Sequence, residues 1–482
     1  MNPPAEALLV GIDVGTTMTK AVVVGLDGTE LSWGRSRTLW RAAPSGNEAY
    51  PEDFLAAVVG ATSSALSSAP AGQVVGIGVT SMAETVVRLG ADGRPVGPAV
   101  AWHDPRGAAE AVDLAAEFGA TGFSARTGLD ASPLCTLVKL AWLHRNGLPV
   151  GRRALSVADW VVHCLGGEQV AEASLASRTG ALTLEGRRWW QEGLQWAGAP
   201  HDLFPTVGQA GDLSGRATPE ALAALPTTSA HQGPLSRLIG AALTSAGHDH
   251  LSAAAGAGAV DQAQVLCSCG TAEAFARAIP PLDGPELAEA VSAGLSSGWH
   301  TVPGKYSLLV GHALGLLLEP VLRLLGTEGV DAITALDAAA QVVPPNTLRV
   351  LRDGPFSNPS IVGTSSEASP AALWDAALAL VTADARKEIS VVERIGGPAG
   401  ELVLSGGWAH LAGFRQRRLG LLPRLRWPAV NEAGARGAAL FGGCAAGVFA
   451  GPAAFPVPVD RGADGAGPLA GPVQGTAMPL HN

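Results

Sequence analysis

The sequence is poor in charged side chains. Only 15% of its 482 residues are charged, and 42 acidic residues against 32 basic ones give a net charge of −10. A nucleic-acid-binding surface needs clustered basic side chains, and no basic tract is present, which argues against that class of partner. Because 47% of the residues are hydrophobic, the chain has enough apolar material for large cores and is not intrinsically disordered.

Cysteine is also scarce. The five cysteines are Cys135, Cys164, Cys267, Cys269 and Cys444, an odd number without the regular spacing of a disulfide-stabilised domain. Cys267 and Cys269 would offer one pair of metal ligands, but no second pair at zinc-like spacing accompanies them. The sequence therefore predicts buried, structural cysteines.

No segment has the pattern of a secretory signal or of a membrane span. The first residues, Met-Asn-Pro-Pro-Ala-Glu, lack a basic start. The longest uncharged run, residues 437–459, is rich in glycine, alanine and proline, which favours a short helix and an irregular tail. We therefore expect a soluble, cytoplasmic protein without a membrane partner.

Glycine, by contrast, is abundant at 62 residues, and it suits tight turns and close backbone contact with phosphates. Residues 8–24 consist of two short apolar runs around a glycine-containing turn, which predicts two strands. An alanine-rich helix over residues 51–68 and a strand over residues 74–80 are predicted next. This alternation of strands and helices indicates an α/β protein.

A second strand–turn–strand unit is predicted after residue 250. Residues 265–271 again place glycine and threonine after an apolar run, and this echo suggests two related domains. We expect an N-terminal domain over residues 1–250, a C-terminal domain over residues 251–451 and an irregular tail over residues 452–482.

Residues 11–17 have the composition of an anion site at the end of a strand. Gly15 lets backbone N–H groups approach a phosphate, and Thr16 and Thr17 add hydroxyl donors. Asp13 would be unfavourable beside that anion unless a cation lies between them, and hydrated Mg²⁺ is the natural choice. Lys20 supplies a further positive charge. An ordinary hairpin with a hydrogen-bonded aspartate is the alternative.

The Walker A pattern is absent, and so is a Rossmann glycine motif after the first strand. Further candidate positions pair an acid with an amide, or place small residues after predicted strands: Asp261-Gln262, Gly270-Thr271 and Gly406-Gly407. In this order the segments resemble the motifs of the FGGY family of carbohydrate kinases, from about residue 8 to about residue 450.

Within this resemblance, residues 11–20 are similar to the family's first phosphate motif, Gly270 and Thr271 to the second, and Gly406 and Gly407 to the adenosine motif. The resemblance implies two actin-like ATPase (ribonuclease H-like) domains with an interdomain cleft. ATP would lie mainly on the C-terminal domain and the sugar mainly on the N-terminal one. A homodimer is expected only by analogy with the family.

The resemblance also implies ATP-dependent phosphorylation of a sugar or polyol hydroxyl, with Mg²⁺ as cofactor. Asp261 falls where the family places its catalytic base, and phosphoryl transfer needs a group that accepts the hydroxyl proton. A hydrogen-bonded loop aspartate is the structural alternative for Asp261.

The family's substrate loop here contains Ala83 and Glu84, where glycerol kinases carry an Arg-Glu pair and xylulokinases a Met-His pair. The resemblance implies that Ala83, Glu84, Asp261 and Gln262 contact the substrate. Of these, Glu84 and the Asp261-Gln262 pair are similar to the corresponding residues of glycerol kinase. Ala83 and a second departure from that enzyme, Leu134, are smaller than its substrate contacts and suggest room for a longer substrate. A buried glutamate can accept hydroxyl hydrogen bonds, and a loop ion pair is the alternative.

Residues 101–106 resemble a further sugar-kinase motif, in which Trp102 would face sugar C–H groups and Asp104, held by Arg106, would bind hydroxyls. A structural Asp–Arg pair is the alternative. The predicted substrate is a ketopentose, in the manner of xylulokinase, or a linear polyol of four or five carbons. A glycerol-kinase-like enzyme and a non-catalytic ATP-binding sensor on the same fold remain as rival functions.

Overall fold

A computed structural model describes residues 7–43, 46–345, 347–352, 360–363 and 368–461. Its strands are β1 (Ala7–Val14), β2 (Met18–Gly25), β3 (Glu30–Arg37), β4 (Arg41–Ala43), β5 (Gly46–Ala49), β6 (Gln73–Ser81), β7 (Val86–Leu89), β8 (Ala99–Val100), β9 (Arg153–Ser156), β10 (Ala171–Glu172), β11 (Leu182–Thr183), β12 (Arg188–Trp189), β13 (Val207–Gly208), β14 (Ala242–His248), β15 (Gln264–Cys269), β16 (Ala272–Ile279), β17 (Ser296–Trp299), β18 (Tyr306–Ala313), β19 (Arg349–Leu351), β20 (Ser360–Val362), β21 (Glu401–Ser405) and β22 (Arg424–Arg426).

The helices are α1 (Pro51–Ser68), α2 (Ala108–Phe118), α3 (Ala120–Thr127), α4 (Thr136–Arg145), α5 (Val157–Cys164), α6 (Ala173–Ser177), α7 (Gln191–Trp196), α8 (Pro219–Ala223), α9 (Ser229–Leu235), α10 (Asp249–Gly256), α11 (Gly284–Ser292), α12 (Gly315–Leu324), α13 (Val330–Ala340), α14 (Pro370–Gly396), α15 (Ala412–Arg418) and α16 (Ala433–Ala445). None of these helices combines the length and the apolar composition that crossing a bilayer requires.

The chain packs as two compact units, and neither is one continuous stretch of sequence. The first holds the described residues of Met1–Val260, Ala278–Leu308 and Glu432–Pro458, and the second holds Asp261–Arg277, Leu309–Asn431 and the described residues from Val459. This division differs from the predicted boundary near residue 250, because α10 and α16 both pack with β14 in the first unit. Of the predicted tail over residues 452–482, only residues 452–461 lie within the described part of the chain.

The first unit is built on a five-stranded sheet with the order β14-β6-β1-β2-β3. β1 is parallel to β6 and β6 to β14, whereas β1, β2 and β3 are successively antiparallel. Every residue of β1 is buried, as expected for a strand covered on both faces. α1 covers one face, with Phe54 and Val58 in the same core as Ile12, and α16 covers the other, where Leu9 meets Ala435.

Glycines allow α16 to lie directly on this sheet. A Cβ atom on Gly11 or Gly78 would overlap the carbonyl groups of Ala435 and Ala438. Close packing of this kind places the end of β1 beside the first turn of α16.

The second unit repeats the strand topology of the first. Its sheet contains the order β18-β16-β15-β21-β22, in which β15 is antiparallel to β16 and parallel to β21, and β21 is parallel to β22. This is the order β3-β2-β1-β6-β14 of the first sheet, strand for strand. The predicted α/β class is confirmed, and the weak echo in the sequence corresponds to a repeated sheet.

Cys267 and Cys269 are buried in the second unit, as predicted for structural cysteines, and their thiols are free. Cys267 donates a hydrogen bond to Glu273 Oε1 at 3.0 Å. The Glu273 carboxylate also receives the guanidinium of Arg418, at 2.7 Å for the Nη2–Oε2 pair. The cluster is therefore a buried ion pair with thiols around it.

Candidate active site

Three acidic residues follow the carboxyl ends of neighbouring strands in the first sheet. Asp13 is the penultimate residue of β1, Glu84 comes three residues after β6, and Asp249 comes directly after β14. Because β1, β6 and β14 are parallel neighbours, their carboxyl ends meet at one edge of the sheet. In open α/β sheets this edge is where ligands bind.

Asp13 is 9% exposed, and its Oδ1 is buried without a hydrogen-bond partner among the described residues. Burial raises the pKa of Asp13 to about 7, an effect that Lys20 opposes and the Asp249 carboxylate reinforces. A carboxylate with an unsatisfied oxygen close to a second carboxylate is a suitable donor set for Mg²⁺, which prefers oxygen ligands and retains water. The residues therefore fit the predicted metal.

The predicted phosphate motif forms the turn between β1 and β2. Gly15 N–H donates to Met18 O at 3.2 Å and closes this turn, and Thr16 and Thr17 lie in it. Thr16 Oγ1 accepts a hydrogen bond of 2.9 Å from Trp102 Nε1. The structure thus brings Trp102 and the turn around Gly15 together.

Lys20 lies opposite Asp13 in the β1–β2 register and is paired with Glu432, at 3.0 Å between Nζ and Oε2. Glu432 is the main cause of a raised pKa for Lys20, and it also binds Arg35. The charge of Lys20 is therefore compensated by Glu432.

Glu84 forms the loop ion pair that was one of its two alternatives. It is buried, and its Oε1 accepts a hydrogen bond from Arg178 Nε and forms an ion pair with Arg178 Nη2, each at 2.7 Å. Its backbone carbonyl accepts a hydrogen bond of 2.7 Å from Thr136 Oγ1. Ala83, in contrast, belongs to the hydrophobic core of the first unit.

Asp249, at the start of α10, is an acid at this edge that the sequence analysis did not single out. Its neighbour His248 lies with Nε2 3.6 Å from Asp249 Oδ1, and the backbone N–H of His248 donates to Ser174 Oγ at 3.0 Å. Burial lowers the pKa of His248 to about 3, so this imidazole is neutral. The available signal was an acid directly after a buried strand, the pattern already recognised at Asp13.

In the second unit the predicted phosphate and adenosine motifs also adjoin. Gly270 and Thr271 form the turn between β15 and β16, in which Gly270 N–H donates to Ala272 O at 3.0 Å. Gly406 has a φ of 101°, and a Cβ there would overlap the backbone of Cys269. Glycine is therefore required where the end of β21 meets the phosphate turn, and Gly407 follows it.

The N-terminal domain of the FGGY family of carbohydrate kinases matches residues 8–230, which include β1, β6 and the turn around Gly15. Residues 8–230 of the chain belong to the FGGY family. Gluconokinase from Bacillus subtilis (strain 168) is 28% identical over 207 residues, which are 41% of this chain and 40% of that protein. The chain thus aligns with less than half the length of that relative.

L-fuculokinase from Escherichia coli O157:H7 is 27% identical to this chain over 384 residues, 78% of this chain and 79% of that protein. A solved structure, a xyloylose kinase from Brucella ovis, matches with a TM-score of 0.80 at 22% identity, covering 94% of this chain and 93% of that chain. The two-domain actin-like fold that the resemblance implied is thereby confirmed.

Asp104, a predicted substrate ligand, is surrounded by hydrogen-bond donors of the chain itself. It is fully buried and accepts hydrogen bonds from Arg106 N, Nε and Nη2, each at 2.9 Å, and from Asn47 N at 2.6 Å. Burial alone would raise its pKa, but these hydrogen bonds hold the pKa of Asp104 below its ordinary value. With four donors bound, the carboxylate is saturated, and the alternative of a structural Asp–Arg pair describes it.

Asp261 also lies away from the position that a general base needs. Its side chain is exposed, and its Oδ1 caps a turn by accepting Ala263 N–H at 2.8 Å. The turn precedes β15, whereas Gly270 and Thr271 follow that strand. Six residues of β15 separate the two ends by about 20 Å.

Gln262, the other predicted contact beside Asp261, is exposed as well. Its carbonyl accepts a hydrogen bond from Arg277 Nε at 2.8 Å. The Asp261-Gln262 pair is thus a turn, which was the structural alternative.

Proposed function

We propose that the chain is an ATP-dependent kinase that phosphorylates a hydroxyl group of a small sugar or polyol. The observation that supports this most strongly is the meeting of Asp13, Glu84 and Asp249 at one sheet edge, beside the Gly15–Thr16 turn. Phosphoryl transfer needs alignment, neutralisation of charge and a group that accepts the hydroxyl proton. The residues at this edge offer one candidate for each need.

The general base in this proposal is Asp249 in place of Asp261. Asp249 follows β14 at the ligand-binding edge and lies close enough to Asp13 to raise its pKa. A carboxylate there accepts the substrate's hydroxyl proton as the oxygen attacks the terminal phosphorus of ATP. A sensor that only binds ATP has no need of such a base, so Asp249 favours the enzyme over that rival.

Asp13 would hold Mg²⁺, directly or through water, because its free Oδ1 is an oxygen donor in a buried site. When bound, the cation neutralises charge on the phosphoryl group. The backbone N–H groups and hydroxyls of Gly15, Thr16 and Thr17 would bind phosphate oxygens. Gly270 and Thr271 offer the same donors at the equivalent turn of the second unit, and Gly406 and Gly407 would contact the adenosine.

The proposed substrate is a ketopentose or a linear polyol of four or five carbons. Trp102 donates a hydrogen bond to Thr16 and is half-buried. Its ring would therefore offer an apolar surface to the C–H groups of a sugar. Glu84 is buried at the same edge, where hydroxyl donors would bind it. The relatives are named for gluconate, fuculose and xylulose, so membership of the family does not select among these compounds.

The test pairs Asp249→Asn with Asp261→Asn as a matched control. ADP release with Mg·ATP would be measured across D- and L-xylulose, D- and L-ribulose, erythritol, the pentitols and glycerol. We expect Asp249→Asn to lower kcat by about 10²–10⁴-fold, the usual contribution of a general base, without loss of ADP binding. Asp261→Asn should stay within about twofold of the wild type, as surface substitutions do.

The reverse pattern would restore Asp261 as the base. If no compound is phosphorylated while ATP still binds, the kinase proposal itself fails for this substrate class, and the sensor becomes the better explanation.

A further inference from the structure

Glu84 and Arg178 form a buried ion pair at the edge where the substrate is proposed to bind. The side chains are 7% and 16% exposed. Arg178 directs Nε and Nη2 at the same oxygen, Oε1, and its Nη1 donates to Ser296 Oγ at 2.7 Å. Within the described part of the chain, Glu84 Oε2 makes no hydrogen bond, so one carboxylate oxygen is left for a ligand.

The backbone of Glu84 is strained. Its φ is 62°, and among the described residues Arg187 is the one other non-glycine residue with a positive φ. Such a conformation persists only where the surroundings hold it, and it is typical of functional sites. Here Thr136 binds the Glu84 carbonyl and Arg178 binds the carboxylate, so the side chain is presented in one orientation.

Lys139, a further cation near this edge, is bound to backbone carbonyl groups. Lys139 Nζ donates to the carbonyls of Trp102 at 3.0 Å and Leu134 at 3.2 Å, and to that of Pro133. Burial is the main cause that lowers the pKa of Lys139, to about 8. Its charge is therefore compensated by carbonyl dipoles.

The balance of charge near the base is negative. Burial keeps His248 neutral. The backbone N–H of His248 donates to Ser174 Oγ at 3.0 Å, and Ser174 lies in α6, the helix that Arg178 caps, so Arg178 follows the helix that contacts the residue before Asp249. Arg178 is neutralised by Glu84. Within the described part of the chain, neither Asp13 nor Asp249 has a charged partner in an ion pair, and Lys20, which acts on Asp13, is itself paired with Glu432. Any Mg²⁺ held by Asp13 would be neutralised by the phosphates of ATP, so a carboxylate on a substrate would meet net repulsion from the described side chains of this edge.

We infer that the Glu84–Arg178 pair makes the site selective for uncharged polyhydroxyl substrates over sugar acids of the same length. Glu84 Oε2 accepts a hydrogen bond from a substrate hydroxyl, and Arg178 is a positioning residue that holds Glu84 and cancels its charge. This inference rests on the proposed function. It follows that removing the charge of Glu84 while keeping Arg178 frees a guanidinium that attracts a carboxylate.

The test compares matched substrates, xylitol with xylonate and erythritol with erythronate, together with the ketopentose that the wild type uses best. The wild type should prefer the neutral compound by about 100-fold or more in kcat/KM, as expected when like charges are brought together. Glu84→Gln should lower this preference at least about tenfold, in part by raising kcat/KM for the acid.

Arg178→Gln should raise KM for the neutral substrate by about tenfold, the effect of losing a charged hydrogen bond, with KM for ATP unchanged. In the double variant Glu84→Gln/Arg178→Gln the gain with the acid should disappear, because no free cation remains. Arg145→Gln, which removes an exposed partner of Asp113, is the matched control and should leave both ratios of neutral to acid kcat/KM unchanged.

A measurement on the wild type alone covers the case in which the variants fail to fold. Each acid is tested as a competitive inhibitor, and its inhibition constant should exceed KM of the neutral partner by about 100-fold. Comparable use of acid and neutral compound by the wild type would overturn the inference, and so would a parallel loss of both activities in Glu84→Gln. If neither kind of compound is phosphorylated, the proposed function fails instead.

Discussion

Replacing Asp13 by Asn should stabilise the metal-free protein at alkaline pH, because the change removes a buried charge. Burial raises the pKa of Asp13 from 3.8 to about 7. At pH 8, above both values, the folded chain must hold the ionised form, and the difference between the two pKa values corresponds to about 4 kcal/mol of destabilisation. An asparagine amide without partners costs about 1 kcal/mol of this gain. We therefore expect the free energy of unfolding of Asp13→Asn to rise by about 3 kcal/mol.

This gain should shrink as the pH falls. A group whose pKa is raised in the folded state binds its proton there first, so the wild type loses its destabilisation between about pH 7 and pH 4, whereas the variant has nothing to titrate. At pH 5 the expected gain is below about 1 kcal/mol. The measurement is urea unfolding of the full chain in EDTA, followed by tryptophan fluorescence between pH 5 and pH 8. Asp92→Asn, at an exposed turn, is the control.

Adding Mg²⁺ tests whether Asp13 binds the cation. At pH 8 the cation should raise the urea midpoint of the wild type and leave that of Asp13→Asn unchanged, because a ligand that binds only the folded state stabilises it. Equal stability of the two proteins at pH 8 in EDTA would refute the reasoning. Parallel pH profiles would do the same, since both results mean that Asp13 holds no buried charge.

Two further substitutions test the surroundings of the site and the second unit. Trp102→Phe removes the donor to Thr16 Oγ1 and should lower kcat/KM by about five- to tenfold, the equivalent of one hydrogen bond, whereas Trp196→Phe should not. A kcat/KM equal to that of the wild type would separate Trp102 from the site. Glu273→Gln leaves the buried Arg418 without its charged partner and should destabilise the second unit by about 3–5 kcal/mol. Urea unfolding with Glu220→Gln as an exposed control measures this effect, and equal midpoints would contradict it.

Much of the fold is predictable from local sequence patterns. The helix predicted over residues 51–68 has those bounds in the structure, and the two strands predicted within residues 8–24 are β1 and β2, joined at Gly15. These elements follow from short β-branched runs, a glycine turn and a proline at the helix start. The same local chemistry explains why the turn at Gly270 was recognised.

The proposed base, Asp249, was not predictable in this way, because its position depends on strand pairing. Asp249 becomes a neighbour of Asp13 only when β14 pairs with β6 and β6 with β1, and no local pattern specifies that order. Asp261 was the expected base because it falls where the resemblance places one, but the whole of β15 separates it from Gly270. The surroundings of Asp104 also depend on the fold, since its fourth donor, Asn47, is distant in the chain.

The packing of α16 has a consequence for how the chain reaches its native state. This helix covers one face of β1 and β6, the first strands to be made, yet it is among the last elements to be synthesised. Until α16 is available, Leu9, Val22 and Val24, which it buries, present an apolar surface to solvent. Such surfaces are prone to aggregation. The first unit can therefore complete its core only after α16 has been synthesised. A chain that ends before α16 would leave one face of the first sheet exposed to solvent.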